Sequence, residues 1–216
     1  MKLKLKLFLF FISIVFLLTA CSLFESSYDN EEKNMMPLES NLNQRVALVV
    51  APQGFQDLEY ENTKKALEAG GLKVVTVSSY GEKAQGKFGQ IVKIERSLFD
   101  LDPDRFGALV FVGGPGAGDY IEDPEVHQIV RQFVEKDKIL GAICLAPVIL
   151  AEAEVLAGRQ ATVWTSSDNQ WTLETLKEKG AEYVDQAVVI DSRIVTANGP
   201  FAAEKFGQAL VDLLLL

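Results

Sequence analysis

Beyond residue 44 the hydrophobic residues of the chain keep two alternating rhythms. Arg45-Val-Ala-Leu-Val-Val-Ala51, Leu72 to Ser78, Ala108-Leu-Val-Phe-Val112 and the run that stops at Cys144 are continuous and apolar, with no polar face. That pattern suits strands covered on both sides. Between them, Leu58 to Ala69 reads as a helix stopped by Gly70-Gly71. Asp123-Pro124 opens another, with Val126, Ile129, Val130, Phe133 and Val134 as its apolar stripe. Further helices are expected over Ala146 to Leu156, Leu173 to Lys179 and Phe201 to Leu215. The Gly-rich stretch from Gly81 to Ile94 predicts a hairpin, Ala161 to Thr165 a strand, and Ala187 to Thr196 a β-pair turning at Asp191-Ser192. Strands alternating with helices across short loops predict an α/β fold of flavodoxin-like type, a mainly parallel sheet with helices on both faces. Ligands bind such sheets at the carboxyl ends of the strands, so Pro52 to Asp57, Gly113 to Gly118 and Cys144 should share one rim.

Residues 1–21 follow a third pattern. Lys2, Lys4 and Lys6 precede an apolar run from Leu7 to Ala20, which ends in Leu18-Thr-Ala-Cys21. This predicts a signal peptide, since a run of about fourteen residues falls short of the roughly twenty that span a bilayer. Leu-Thr-Ala-Cys resembles the lipobox of bacterial lipoproteins, which implies cleavage before Cys21 and lipidation of its sulfur; an uncleaved anchor is the alternative. Both place the domain at a membrane of the cell envelope, outside the cytoplasm. Residues 22–44 are polar and acidic, a flexible tether reaching about 25 Å, and 45–216 have the size of a single domain.

Without the three leader lysines the formal charge moves from −9 to −12. An acidic domain without basic patches does not suit nucleic acid. The chain has two cysteines, and lipidation of Cys21 leaves Cys144 without a disulfide partner. One histidine and one cysteine do not make a zinc set, and no cofactor is expected.

Cys144 lies where a strand gives way to a helix within three residues. Such a turn holds the side chain proud of the sheet, and the unpaired N–H groups of the new helix favour thiolate. A small buried hydrophobe is the plainer alternative. Glu59 falls in the first turn of the first helix on the face of Thr63, Ala66 and Leu67, which should look inward. A buried carboxyl at that rim is costly unless paired or protonated, and a protonated Glu59 would donate to the Cys144 thiolate. A simple helix N-terminal acid is the alternative, the role expected of Asp57 and Glu61. Gly113, Gly114 and Leu145 offer backbone N–H groups for an oxyanion hole. As a dinucleotide fingerprint Gly114-Pro-Gly-Ala-Gly118 fails, because the helix opens too late and Asp119, Glu122 and Asp123 would repel phosphate.

Three segments resemble the DJ-1/PfpI superfamily, whose fold is that of the class I glutamine amidotransferase domain. They are Val46-Ala-Leu-Val-Val-Ala with Gly54-Phe-Gln-Asp-Leu-Glu59, then Asp102-Pro-Asp-Arg-Phe-Gly-Ala-Leu-Val-Phe-Val-Gly-Gly114, then Gly141-Ala-Ile-Cys-Leu-Ala-Pro147. The resemblance implies that Cys144 is the family cysteine and Glu59 its site glutamate, and it implies a homo-oligomer. It covers peptidases, glyoxalases, chaperones and redox sensors. The peptidase branch carries a histidine after its cysteine, where this chain has Leu145; the other branch takes one from a later strand, where it has Trp164. Gln56 stands where a second acid is often found, and His127, the lone histidine, lies off its helix's apolar stripe. The expectation is therefore cysteine-dependent chemistry on small carbonyl compounds or a hydrolase-like reaction. A redox or stress-protection role follows, then proteolysis, then a non-catalytic envelope binding module.

Overall fold

The computed structural model describes residues 44–216. The signal peptide, Cys21 and all but the last residue of the tether lie outside the described residues.

A seven-stranded sheet forms the centre. Its strands are β1 (Arg45–Val49), β3 (Lys73–Ser78), β6 (Arg96–Ser97), β7 (Ala108–Phe111), β8 (Ile139–Ile143), β11 (Val188–Asp191) and β12 (Ile194–Ala197), in the order β11-β12-β8-β7-β1-β3-β6. All neighbours are parallel except β11, which runs against β12. The α/β fold and the mainly parallel sheet are as the sequence pattern predicts. The apolar runs carry no polar alternation because both faces are covered; every residue of β7 and β8 is buried.

Helix α1 (Asp57–Ala69) and helix α5 (Ala203–Leu214) pack on one face, with Leu67, Phe206 and Leu210 in its core. Helices α2 (Pro124–Glu135), α3 (Pro147–Glu152) and α4 (Trp171–Glu178) cover the other, through Phe133, Leu150 and Leu176. Helix α2 starts as expected, with Asp123 accepting from the N–H groups of Glu125 and Val126 ahead of Pro124. Val134 departs from the expected stripe and is exposed. Three short strands, β2 (Gln53–Phe55) and the hairpin of β4 (Lys83–Gly86) with β5 (Ile91–Lys93), form a small second sheet.

Two expectations are corrected. The elbow helix ends at Glu152 rather than Leu156, followed by a turn in which Glu154 has φ 64°. The strand expected over Ala161 to Thr165 shrinks to β9 (Gln160–Ala161), paired with β10 (Glu182–Tyr183). Past Ala161 the backbone leaves its ladder. The N–H of Thr162 goes to the Thr196 hydroxyl at 2.9 Å and that of Trp164 to the Cys144 carbonyl, also at 2.9 Å.

Chain order determines where a ligand fits. From β1 the chain moves to β3 on one side and later returns to β7 on the other, so the crevice between β1 and β7 is a topological switch point. The register aligns Val49 with Phe111, Phe111 with Ala142, and Ala197 with Ile143. The carboxyl ends of β1, β7, β8 and β12 therefore finish level with one another, beside that crevice.

Candidate active site

Three chain segments meet there. Cys144 directly follows β8 and adopts φ 64°. The three other non-glycine residues with positive φ among those described are Asp137, Glu154 and Ser192, all polar residues in turns. A cysteine gains no local hydrogen bond from this conformation, which costs about 1–3 kcal/mol and persists only where the surroundings enforce it. They do so here: the Cys144 N–H donates to Ala197 O at 2.8 Å, and Cys144 O accepts from Trp164 N at 2.9 Å. The thiol is left half-buried at the rim.

Glu59 reaches the same point from α1. It is fully buried beside Thr63 and Leu67, as its helical spacing predicts, while Ala66 is half-buried. Its Oε2 accepts the Gly113 N–H at 3.0 Å. The carboxyl also interacts with the Cys144 thiol, in a geometry that leaves Oε1 buried without a well-formed hydrogen bond. Gly113 separates the two groups so narrowly that a Cβ there would lie 2.6 Å from Cys144 Cβ and 2.8 Å from Glu59 Oε2. Gly114, at φ 100°, would bring a Cβ within 2.5 Å of Gln56 N.

The backbone donors divide their work. The N–H groups of Gly114 and Leu145 lie beside the Cys144 sulfur and favour its thiolate. That of Gly113, expected among the oxyanion donors, is taken up by Glu59 and orients the carboxyl instead. Burial dominates the electrostatics. It pushes the Glu59 carboxyl up to about 7, against the pull of its thiol and Gly113 contacts. Burial first, then the Glu59 charge, pushes the Cys144 thiol up to about 12, and the two N–H groups do not offset them. Burial thus favours a protonated thiol beside a carboxyl able to take its proton. This differs from the thiolate expected of a strand-to-helix turn, because desolvation outweighs two backbone dipoles.

Cys144 and Glu59 open into a cavity of about 350 Å³ walled by Leu145, Trp164, Trp171 and Pro200. Gln56 and Lys87 also line it. Gln56 caps α1 by accepting from Leu58 N at 3.0 Å. Lys87 carries no signal in the sequence, since it stands in a hairpin whose place depends on distant contacts. Those contacts correct the role expected of Asp57. Its buried carboxylate accepts from Phe88 N and Gln90 N, both at 2.9 Å, and so fastens the hairpin to α1. His127 does not line the cavity; its Nε2 contacts Ile121 O at 2.7 Å.

Fold and site together define an α/β protein whose cysteine sits on a strained strand-to-helix elbow beside a buried glutamate. The chain belongs to the DJ-1/PfpI family, whose model matches residues 44–213. It is 32% identical to the Bacillus subtilis protein YraA, named as a candidate cysteine protease, over 80% of this chain and 99% of that one. It is 28% identical to glutathione-independent glyoxalase DJR-1.2 of Caenorhabditis elegans, over 79% of this chain and 89% of that one. The crystal structure of a ThiJ/PfpI domain protein from Brachyspira murdochii superimposes with a TM-score of 0.75 at 31% identity, covering 80% of this chain and 96% of that one.

Proposed function

We propose that this protein is a cysteine-dependent enzyme acting on reactive carbonyl compounds, with Cys144 as nucleophile and Glu59 as the group that takes and returns its proton. One observation carries this reading: a strained, half-buried thiol and a fully buried carboxyl share one cavity with no histidine in its lining. On a 2-oxoaldehyde, the sulfur bonds to the aldehyde carbon while the thiol proton passes through Glu59 to the carbonyl oxygen, giving a hemithioacetal. Glu59 as carboxylate then removes the proton on that carbon and returns it to the neighbouring one, while the hydroxyl proton passes to the neighbouring oxygen, which leaves a 2-hydroxy thioester. Water cleaves the C–S bond, releasing a 2-hydroxy acid and the thiol, with no net oxidation. Gly114 and Leu145 N–H groups supply donors for the developing oxygen charge. The relative named as a glyoxalase supports this reaction, and the relative named as a candidate protease supports a hydrolase-like variant of it.

Cys-His proteolysis is less favoured, because the one histidine contacts Ile121 O and does not line the cavity. The test is conversion of methylglyoxal or phenylglyoxal to the hydroxy acid by wild type, Cys144→Ser and Glu59→Gln. Turnover in wild type and loss in both variants is expected; equal conversion in Cys144→Ser would overturn the assignment.

The envelope tether and self-association belong to the same proposal. Lipidation of Cys21 predicts incorporation of labelled fatty acid that Cys21→Ala abolishes. A homo-oligomer predicts a light-scattering mass at least twice that of one chain.

A further inference from the structure

The cavity is out of proportion to a three-carbon dicarbonyl. About 350 Å³ lies in the range that accepts a drug-sized molecule. Two of its walls are the indoles of Trp164 and Trp171, which keep 37% and 39% of their surface exposed. Exposed indole facing a cavity offers a flat, amphipathic contact for an apolar or aromatic body.

Lys87 supplies the second half of the argument. It is the one cationic residue lining this cavity in a strongly acidic chain, and it has no ion pair among the described residues. Its backbone is fixed. Lys87 N donates to Phe55 O at 2.7 Å, Phe88 N and Gln90 N donate to the buried Asp57 carboxylate, and Gly86 N donates to Gln90 O at 2.8 Å. The ammonium rests 5.5 Å from the Phe88 ring centroid. A buried carboxylate thus holds a surface loop so that a cation without an ion pair overlooks an apolar passage to the nucleophile.

We infer that the substrate is an extended carbonyl compound with an apolar or aromatic body and an anionic group at the far end. Trp164 and Trp171 hold the body and Lys87 receives the anion. The assignment rests on the carbonyl-directed reading above and adds the substrate class. Lys87 touches the substrate away from the reacting atoms, so it determines specificity rather than chemistry.

The test uses the full chain and three dicarbonyls: methylglyoxal, phenylglyoxal and 4-carboxyphenylglyoxal. For wild type, kcat/KM is expected to favour phenylglyoxal over methylglyoxal by about tenfold, as burial of a ring should, and the carboxylated ring over the plain one by about fivefold. The second ratio should fall towards one in Lys87→Gln and invert in Lys87→Glu, and the first should collapse in Trp164→Ala or Trp171→Ala. A carboxylate preference absent from wild type, or surviving Lys87→Gln, overturns the inference. Alkylation of Cys144 by 4-(bromomethyl)benzoate against 4-methylbenzyl bromide, followed by intact mass, reads the same selectivity without turnover. No turnover with any dicarbonyl, beside an alkylation ratio that falls in Lys87→Gln, sinks the proposed reaction and leaves the anion subsite standing. Turnover without charge preference does the reverse.

Discussion

The two ends of the central sheet each carry a cavity, and they are built on opposite principles. At the amino end, around Gly107, Ile139 and Arg193, the cavity is the larger, about 440 Å³, and its rim is charged. Those charges are engaged: Lys136 meets Asp104 at 2.9 Å and Arg193 meets Asp137 at 3.5 Å. At the carboxyl end the cavity is smaller and mostly apolar, yet it holds a cysteine at φ 64° and a buried carboxyl oxygen without a well-formed hydrogen bond. Size and charge do not separate the candidate site from a surface cleft here. Positive φ alone does not either, since Asp137 and Ser192 beside the amino-end cavity share it, but they do so in exposed polar turns. What sets the carboxyl end apart is a strained thiol directly beside a buried, unsatisfied carboxyl, a combination that persists only where the surroundings over-determine it.

The sharpest way to break this contrast is to remove the nucleophile. Cys144→Ser should lower turnover at least about a thousandfold while thermal unfolding moves little, since serine keeps the size and the backbone of the site. Glu59→Gln comes next, with a loss of about 10²–10⁴-fold, the range of general acid–base catalysis. Its pH dependence sharpens the point. The folded carboxyl is raised to about 7 from an ordinary 4.5, so the fold holds this proton more tightly than the unfolded chain does. The stability it contributes is complete below about 4.5 and is lost as pH rises through about 7. Wild type should therefore lose stability relative to Glu59→Gln between pH 5 and 8 in parallel denaturation series, while its kcat/KM rises over the same window. A pH-independent difference between the two proteins would contradict the account.

Asp57→Asn should cost about 1–3 kcal/mol by leaving buried N–H groups poorly satisfied. Hydrogen exchange should locate the loss at Phe88 and Gln90. The smallest effects belong to the other end of the sheet. Lys136→Ala or Arg193→Ala should change stability by no more than about 0.5 kcal/mol and leave turnover unaltered, because exposed pairs contribute little.

The contrast also explains what the sequence made legible. Apolar runs such as Ala108 to Val112 and the stop at Cys144 are local signals, and they placed the strands, the elbow and the shared rim. Glu59 was legible because helical spacing put it beside Thr63 and Leu67, and burial followed. Lys87 was not, since its position depends on Asp57, an acid some thirty residues away whose carboxylate looks from sequence like an ordinary helix N-terminal charge. The segment after Ala161 misled for a related reason: its β-branched residues promise a strand, but their N–H groups go to the Thr196 hydroxyl and the Cys144 carbonyl. The burial that raises the thiol was not legible either, because desolvation is a property of the whole fold and helix-end dipoles are a property of a few residues.

The central claim is that Cys144 and Glu59 act as one acid–base unit in which the thiol rests protonated and the carboxyl activates it. The pH dependence of Cys144 alkylation, with Glu59→Gln alongside, tests this most directly. The account predicts a wild-type rate that rises through about pH 7, following the carboxyl, and then levels off, whereas Glu59→Gln loses that rise and reacts only as its own thiol ionises at higher pH. Superimposable profiles in the two proteins, or a wild-type rise at the pH of an ordinary free thiol, would contradict it.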